Sequence, residues 1–293
     1  MIDAALLDRI AGRLAAALAP PEGPLWPLRV DGRIVGELDP GRATRLRRFD
    51  ETFVVAEREV RFAPHLADAG ARSAAVARVA RALADEGCLT AWRDELYAVG
   101  TAPGGAPLFR LERAAARYFG IRTFAVHVNG ITRARGEAAM WIARRSPRKA
   151  IDPGMLDNLV GGGVAAGASV AATVVKEAWE EAGLPPDIAR TARATGTVEI
   201  RRAQPDGLHL ETIFVHDLEL PPGVVPANRD DEVVEFRLEA ADAAARLIAN
   251  ESGADTVTAD ASLVIADWLM RHNYVPHGTR AWDVLDRLRG RAA

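Results

Sequence analysis

The sequence predicts an α+β fold in two parts, a mixed α/β region over residues 1–120 and a sheet-and-helix domain over residues 121–293. Stretches with an apolar residue every three or four positions, which indicate helices, alternate with stretches in which every second residue is apolar, which indicate strands. Gly120, a helix-ending residue type, separates the two parts. With 49% hydrophobic residues, the chain can build a sizeable core.

The first region is predicted to open with an amphipathic helix. Apolar residues recur at helical spacing from Ile2 to Leu18, and Pro20-Pro21 ends the pattern. The Asp31-Gly32 pair predicts a tight turn in a hairpin over 28–35. The same criteria predict further helices at 41–49, 71–87 and 111–119 and a strand at 52–62.

The second region is predicted to combine a sheet with helices. Phe124, Val126 and Val128 alternate with smaller or more polar residues, which indicates a half-buried strand. The loop Gly161-Gly162-Gly163 precedes a helix over 170–182. Further predictions are strands at 139–143, 195–202, 208–218 and 233–238, helices at 240–249, 260–272 and 280–289, and a turn at Arg135-Gly136.

Composition and charge argue against several classes of protein. The formal net charge of -3, with both signs mixed, lacks the basic surface of a nucleic-acid binder. An uninterrupted apolar run long enough to cross a membrane is absent from the sequence. Charges interrupt the first helix, unlike a signal or transit peptide, and Cys88 is the single cysteine, so we expect a cytoplasmic protein. A second copy of the chain, in a homodimer, is an expected partner.

Three glutamates on the helix predicted over 170–182 point to metal chemistry. Glu177, Glu180 and Glu181, the glutamate trio, stand at i, i+3 and i+4 and share one helix face. Carboxylates this close repel one another unless a cation joins them, and their oxygens suit Mg²⁺ or Mn²⁺. The glycines before the helix let the backbone approach a phosphate. A merely solvated acidic face is the alternative interpretation.

The run from Gly162 to Leu184, GGVAAGASVAATVVKEAWEEAGL, resembles the signature of the Nudix hydrolases, the Nudix box. Two positions depart from it. Ala168 stands where the box has a glutamate, and Lys176 stands where it has an arginine. In the family these two side chains pair, so Lys176 needs another partner, either a glutamate of the trio or the phosphates of the substrate.

The resemblance extends beyond the box to most of the chain. Segments similar to one Nudix branch lie at 91–97, 111–115, 119–121, 126–130, 140–146, 155–158, 217–221 and 231–236. Members of that branch carry an N-terminal domain related to thiamine pyrophosphokinase proteins. The resemblance implies such a domain over 1–120 and a Nudix α/β/α sandwich with a mixed sheet over 121–293. It also implies a substrate, thiamine diphosphate or its oxidised forms, which fungal and plant members convert to the monophosphate.

Further side chains are candidates because of their chemistry and their position near the box. A loop acid, Glu232, is a candidate metal ligand or general base, with Glu235 and Glu211 as rivals. Aromatic rings and arginines suit a ring and a diphosphate. The candidate catalytic residues are Glu177, Glu181 and Glu232, the candidate metal ligands are Glu177, Glu180 and Glu181, and the candidate substrate-binding residues are Trp92, Arg93, Asn129, Arg144, Gly162 and Gly163.

Three hypotheses for function remain open at this point. The first is a Mg²⁺-dependent pyrophosphohydrolase for thiamine diphosphate, and the second is a Nudix enzyme for another diphosphate. The third is a Nudix-like module that binds a ligand without catalysis, because the box is imperfect. Retention of the whole glutamate trio argues against the third, since a module without metal chemistry does not need it.

Overall fold

A sheet and one long helix form most of the first region of the structure, a computed structural model that describes residues 2–100, 102–134 and 137–290. The turn predicted at Arg135-Gly136 lies outside these ranges. The elements are α1 (Ala4–Ala16), β1 (Trp26–Val30), β2 (Arg33–Leu38), α2 (Pro40–Arg45), β3 (Phe53–Ala56), β4 (Glu59–Phe62), α3 (Ala69–Asp85), β5 (Leu96–Val99) and β6 (Phe109–Glu112). The sheet order is β2-β1-β4-β3, and β5 pairs with β6.

Two elements of the first region differ from the predictions. The single strand predicted over 52–62 is the hairpin β3–β4, because the chain turns at Glu57-Arg58, where both residues have positive φ angles. The helix predicted over 111–119 is instead the end of β6 followed by one 3-10 turn, Arg113–Ala115. Buried and exposed side chains alternate at the start of β6, so pairing with β5 overrides the helical propensity of the alanines that follow.

A mixed sheet between two layers of helices forms the second region. The elements are β7 (Arg122–Ala134), β8 (Glu137–Arg145), β9 (Leu156–Asp157), β10 (Val160–Gly163), α4 (Val170–Ala182), α5 (Pro186–Ala189), β11 (Arg193–Gln204), β12 (Gly207–Glu219), β13 (Val233–Ala240), α6 (Ala241–Ile248), α7 (Ala259–Arg271), α8 (Arg280–Asp286) and β14 (Arg289–Gly290). The sheet order is β13-β8-β7-β12-β11-β14, with β10 beside β7 and β9 beside β8. Strands β7 and β12 are parallel, whereas β10 runs antiparallel to β7.

Each face of this sheet has its own apolar core. Val126 of β7 packs with Val174 and Ala178 of α4 on one face. Ile213 of β12 packs with residues of α6, α7 and α8, such as Leu269, on the other. This arrangement confirms the predicted α+β class and the sandwich with a mixed sheet.

The first helix of the chain packs on the second region, away from the first. Ile10 and Leu14 of α1 are fully buried in the same core as Leu269 and Leu285. Asp3 begins the helix, because its carboxylate accepts a hydrogen bond from the Leu6 N–H at 2.8 Å. Helix α1 therefore contributes to the apolar core of the second region, although it precedes the rest of the first region in the sequence.

The two regions meet at a tight joint. Gly120 has a φ of 55°, and a Cβ there would lie 1.9 Å from the carbonyl oxygen of Glu37. The Glu37 N–H donates to the carbonyl oxygen of Gly120 at 3.2 Å. Only glycine allows this approach, so the joint is packed and does not act as a free linker. Within the described ranges, no helix is both long enough and apolar enough to cross a membrane.

Candidate active site

A cleft of about 730 Å³ runs between the two regions. The first region lines it with residues of β5 and of the turn after β6. The second region lines it with β10, α4 and the first halves of β7 and β12. Side chains of both regions therefore face one space, and Glu177 and Glu180 are among them.

Helix α4 carries the glutamate trio, and its two caps set the position of these residues. It begins where the Ser169 hydroxyl accepts a hydrogen bond from the Ala172 N–H at 3.1 Å. It ends at Gly183, whose φ is 64°. A Cβ at this glycine would lie 2.4 Å from the carbonyl oxygen of Ala227, so no other residue fits. Glu177 and Glu180 line the cleft as a result.

Glu181 is the buried member of the trio. Its side chain is 6% exposed and accepts hydrogen bonds from the Gly161 N–H at 2.9 Å and from the Lys149 ammonium at 3.1 Å. Burial raises the pKa of Glu181 to about 7, although the ammonium and the N–H each act to lower it. A carboxylate in this setting gains from any further positive charge placed beside it.

Lys176, the lysine at the arginine position of the box, bonds to two glutamates of the trio. Its ammonium lies 3.0 Å from Oε1 of Glu177 and 2.6 Å from Oε2 of Glu180. Burial alone would lower the pKa of Lys176, but these hydrogen bonds raise it above its ordinary value. The sequence left open whether the partner would be a glutamate or a phosphate, and in this structure it is the glutamates.

Lys149 links the trio to the loop before β13. Besides Glu181, its ammonium pairs with Glu232, which lines the cleft. Burial alone would raise the pKa of Glu232, but the hydrogen bond from Lys149 lowers it below its ordinary value. The backbone also holds this loop, because the Ser146 N–H donates to the carbonyl oxygen of Glu232 at 2.7 Å. Glu232 thus stands as a carboxylate close to the trio.

The run Gly161-Gly162-Gly163 on β10 is packed against three different side chains. A Cβ on the first glycine would lie 3.2 Å from the ring of His127. On the second it would lie 2.5 Å from Cδ of Glu177, and on the third 2.2 Å from the hydroxyl oxygen of Tyr97. These glycines therefore make room for site side chains, as well as leaving backbone open to the cleft.

The wall contributed by the first region carries positive charge and a phenol. Tyr97 is 7% exposed, and its hydroxyl reaches across to Gly163. Burial raises its pKa, so the hydroxyl keeps its proton and can donate it. The Arg113 guanidinium pairs with Glu95 at 2.8 Å and lies 5.8 Å from the centre of the Tyr97 ring. Arg93 also lines the cleft.

Comparison with known proteins places both regions. Residues 122–261 match the family described as "NUDIX domain", and residues 20–123 match "Domain of unknown function (DUF4743)". "Nudix hydrolase 24, chloroplastic" of Arabidopsis thaliana is 36% identical over 270 residues, which are 91% of this chain and 73% of that protein. The chain belongs to the Nudix hydrolase family.

Other relatives show how far the similarity extends. "Nudix hydrolase 20, chloroplastic" of Arabidopsis thaliana is 41% identical over 221 residues, but the match spans only 58% of its length and 75% of this chain. Among solved structures, the NUDIX domain of Shewanella oneidensis NrtR complexed with ADP ribose superposes with a TM-score of 0.41 at 13% identity. That match covers 53% of this chain and 90% of the other.

Three of the predicted substrate-binding residues of this Nudix chain, Trp92, Asn129 and Arg144, lie outside the cleft lining. Asn129 is fully buried between strands, where its amide donates to Asp217 at 3.0 Å. The Arg144 guanidinium bonds to Glu235, to Asp255 and to two backbone carbonyl oxygens, and Glu235 also lies outside the cleft lining. Both side chains are satisfied by structural partners.

Trp92 is the third predicted residue outside the cleft lining. Its indole N–H donates to Asp94 at 2.7 Å, and the Arg81 guanidinium lies 4.0 Å from the centre of its ring. The ring packs against the core of the first region instead of the cleft wall. The other predicted substrate-binding residues, Arg93, Gly162 and Gly163, do line the cleft with Glu177, Glu180 and Glu232.

Sequence reasoning missed several polar residues of the cleft. Asp157 and Arg145 pair at 2.7 Å and line it beside Lys149. His209 and Asp260 also line it. Nothing in their spacing points to the site, because they come from separate strands and from the start of α7.

Proposed function

We propose that this Nudix protein is a divalent-cation-dependent pyrophosphohydrolase that cleaves thiamine diphosphate, or an oxidised form of it, to the monophosphate and phosphate. The observation that carries the proposal is the shared cleft, which Glu177 and Glu180 of the Nudix sandwich line together with Tyr97, Arg93 and Arg113 of the first region. A substrate in this cleft touches both regions. The substrate itself is inferred from the resemblance of the whole chain, including residues 1–120, to the thiamine-related branch.

The residues of the cleft fit a hard divalent cation. Glu177 and Glu180 offer carboxylate oxygens to the cleft, and the missing side chain of Gly162 leaves the space that Glu177 occupies. Burial raises the pKa of Glu177, which shows that its surroundings favour added positive charge. All-oxygen ligands suit Mg²⁺ or Mn²⁺. When bound, the cation would balance charge on the phosphoryl oxygens and make a water more acidic.

The side chains then divide the remaining work. Glu232 is the proposed general base, because its carboxylate faces the cleft whereas both oxygens of Glu181 are engaged by Gly161 and Lys149. It takes the proton of the attacking water. Lys149 holds Glu232 in its charged form and orients it.

The anionic end of the substrate has several donors within the cleft. Arg93 offers a guanidinium, which suits the two oxygens of a phosphate. Tyr97 offers a hydroxyl beside Gly163, where β10 has no side chain. The first region therefore contributes to substrate binding in this proposal, in addition to the Nudix sandwich.

A second function is favoured by a specific contact. Lys176 occupies two glutamates of the trio with its own positive charge, as in a module that binds a ligand without a metal. Such a module, or a Nudix enzyme for another diphosphate such as a nucleotide sugar, is the alternative. Measured turnover distinguishes the proposed hydrolase from the binding module. The ranking of substrates distinguishes it from a Nudix enzyme for another diphosphate.

The test is a phosphate-release screen with Mg²⁺ or Mn²⁺ over thiamine diphosphate, its oxidised analogues, ADP-ribose and nucleoside diphosphates. We expect the highest kcat/KM for a thiamine-type diphosphate, and loss of turnover in EDTA. A Glu177→Gln variant is the matched negative control. Preference for ADP-ribose or nucleotides would reject the substrate, and absence of turnover with every compound would favour the binding module.

A further inference from the structure

A second carboxylate, Glu211 of β12, lies in the cleft apart from the glutamate trio. Its side chain is 13% exposed and lines the cleft. The Thr123 hydroxyl donates to Oε1 at 2.9 Å, and Nε2 of His209 lies 3.4 Å from Oε2. Burial alone would raise the pKa of Glu211, but the hydrogen bonds from His209 and Thr123 lower it. Glu211 is therefore a carboxylate whose orientation is fixed from two sides.

The neighbours of Glu211 do not form a metal site. Ligand atoms of His209, Glu211 and Asp260 lie within 4.8 Å of one another. The Arg202 Nε–H, however, donates to Nδ1 of His209 at 3.2 Å. Nδ1 is then the acceptor nitrogen, so Nε2 carries the ring proton and has no lone pair for a cation. Arg202 also pairs with Asp260 at 2.9 Å.

No lysine or arginine of the described residues forms an ion pair with Glu211; its only charged-pair contact in those ranges is with His209. Arg113 lies close enough to interact with the charge of Glu211, but its guanidinium pairs with Glu95. A buried carboxylate that faces an open cleft keeps acceptor positions free for a ligand. The complementary ligand group is a cation or an N–H donor.

The strand register places Glu211 at a defined distance from the glycine run. Gly163 lies opposite Ala125 of β7, and Glu211 lies opposite Thr123 two residues away on the same strand. Two strand spacings and two residue rises give roughly 12 Å between the Gly163 and Glu211 backbones. That span is longer than inorganic pyrophosphate and accommodates a diphosphate joined to a ring.

We propose that Glu211 is a specificity-determining residue that binds a positively charged or amino-bearing aromatic ring of the substrate. The inference rests on the proposed function, because it assumes that the diphosphate lies at the glutamate trio. Glu211 then selects among diphosphate esters by their organic group. His209 and Thr123 are positioning residues that aim its carboxylate.

The experiment measures binding of the two halves of such a substrate separately by calorimetry. Thiamine, which has the ring system without phosphates, probes the Glu211 end, and inorganic pyrophosphate with Mg²⁺ probes the trio. We expect Glu211→Gln to weaken thiamine binding by about tenfold or more, as for loss of a charge-assisted contact, and to leave pyrophosphate binding within about twofold. Glu211→Asp keeps the charge on a shorter side chain, so it should weaken thiamine binding to an intermediate extent. Glu219→Gln, at an exposed position of the same strand, is the control.

Other results would overturn the inference. Equal weakening of both probes by Glu211→Gln would mean a structural role, and so would a change in kcat for thiamine diphosphate without a change in KM. If the unaltered protein does not bind thiamine, the ring class is wrong, while pyrophosphate binding and phosphate release would still support the proposed hydrolase. Binding of Mn²⁺ or Zn²⁺ that survives Glu177→Gln but not Glu211→Gln would make this cluster a metal site instead.

Discussion

Replacing Glu181 by glutamine should abolish turnover and, in the metal-free protein, should raise stability at high pH. In the folded chain the pKa of Glu181 rises from 4.5 to about 7 because of burial. Between these pH values the folded state holds a proton that the unfolded state has released, so the free energy of unfolding falls as pH rises. The loss amounts to roughly 3 kcal/mol above pH 7.

The glutamine avoids this loss of unfolding free energy but introduces a smaller loss of its own. One carboxylate oxygen becomes an NH₂ group that faces either the Gly161 N–H or the Lys149 ammonium, and the lost hydrogen bond costs about 1–2 kcal/mol. A net gain of about 1–2 kcal/mol at pH 8 corresponds to a rise in Tm of about 3–6 °C. At pH 5 Glu181 is itself protonated, and the two proteins should melt together.

The assay is thermal unfolding at pH 5 and pH 8, in EDTA and without phosphate, beside phosphate release in Mg²⁺. Turnover of Glu181→Gln should fall by at least about a hundredfold, as expected when a cation site is lost. Glu180→Gln, at a more exposed position of the same helix, should change Tm by no more than about 2 °C at either pH. A Tm difference that is the same at pH 5 and pH 8 would refute the desolvated carboxylate, and unchanged turnover would refute its role in the site.

Three further predictions concern the glycine run, the box and the domain joint. Gly163→Ala should lower kcat/KM by at least about tenfold, because its Cβ would meet the Tyr97 hydroxyl at 2.2 Å. Adding Tyr97→Phe should restore part of the lost kcat/KM. Additive effects of the two substitutions would contradict the contact. Ala168→Glu should draw Lys176 away from the trio. It should lower the Mg²⁺ concentration for half-maximal turnover by about two- to fivefold, which is the scale of an exposed ion pair. An unchanged Mg²⁺ requirement in a folded variant would contradict this prediction. A chain of residues 121–293 alone should melt well below the full chain, since it lacks the buried α1; equal Tm and equal substrate ranking would exclude any part for the first region.

The local features of the site could be predicted from the sequence, whereas its long-range contacts could not. The spacing of Glu177, Glu180 and Glu181 determines their common helix face, since helix geometry depends only on neighbours in the chain. Lys149 bonds to Glu181, 32 residues away, and no periodic pattern signals such a contact. The position of Lys149 became clear only with the strand order.

Two of the predicted substrate-binding residues bond to neighbouring strands for a shared physical reason. Asn129 and Arg144 are polar residues on strands, and polar strand residues are satisfied as readily by a neighbouring strand as by a ligand. Which of these occurs depends on sheet order, and here Asp217 of β12 and Glu235 of β13 are the neighbours. The helix predicted over 111–119 was wrong for a similar reason, because β5 supplied a pairing partner that propensity cannot reveal.

The packing of α1 on the second region has a mechanical consequence for the cleft. The chain leaves the Nudix sandwich after Ala16 and returns to it at Arg122, so the first region is tethered to the sandwich at both of its ends. A region joined to the rest of the protein at both ends can rotate less than a region joined at one end. The cleft should therefore keep a nearly constant width as ligands come and go. We therefore expect the cleft to select ligands by their length and shape, and not by their ability to induce closure of a lid.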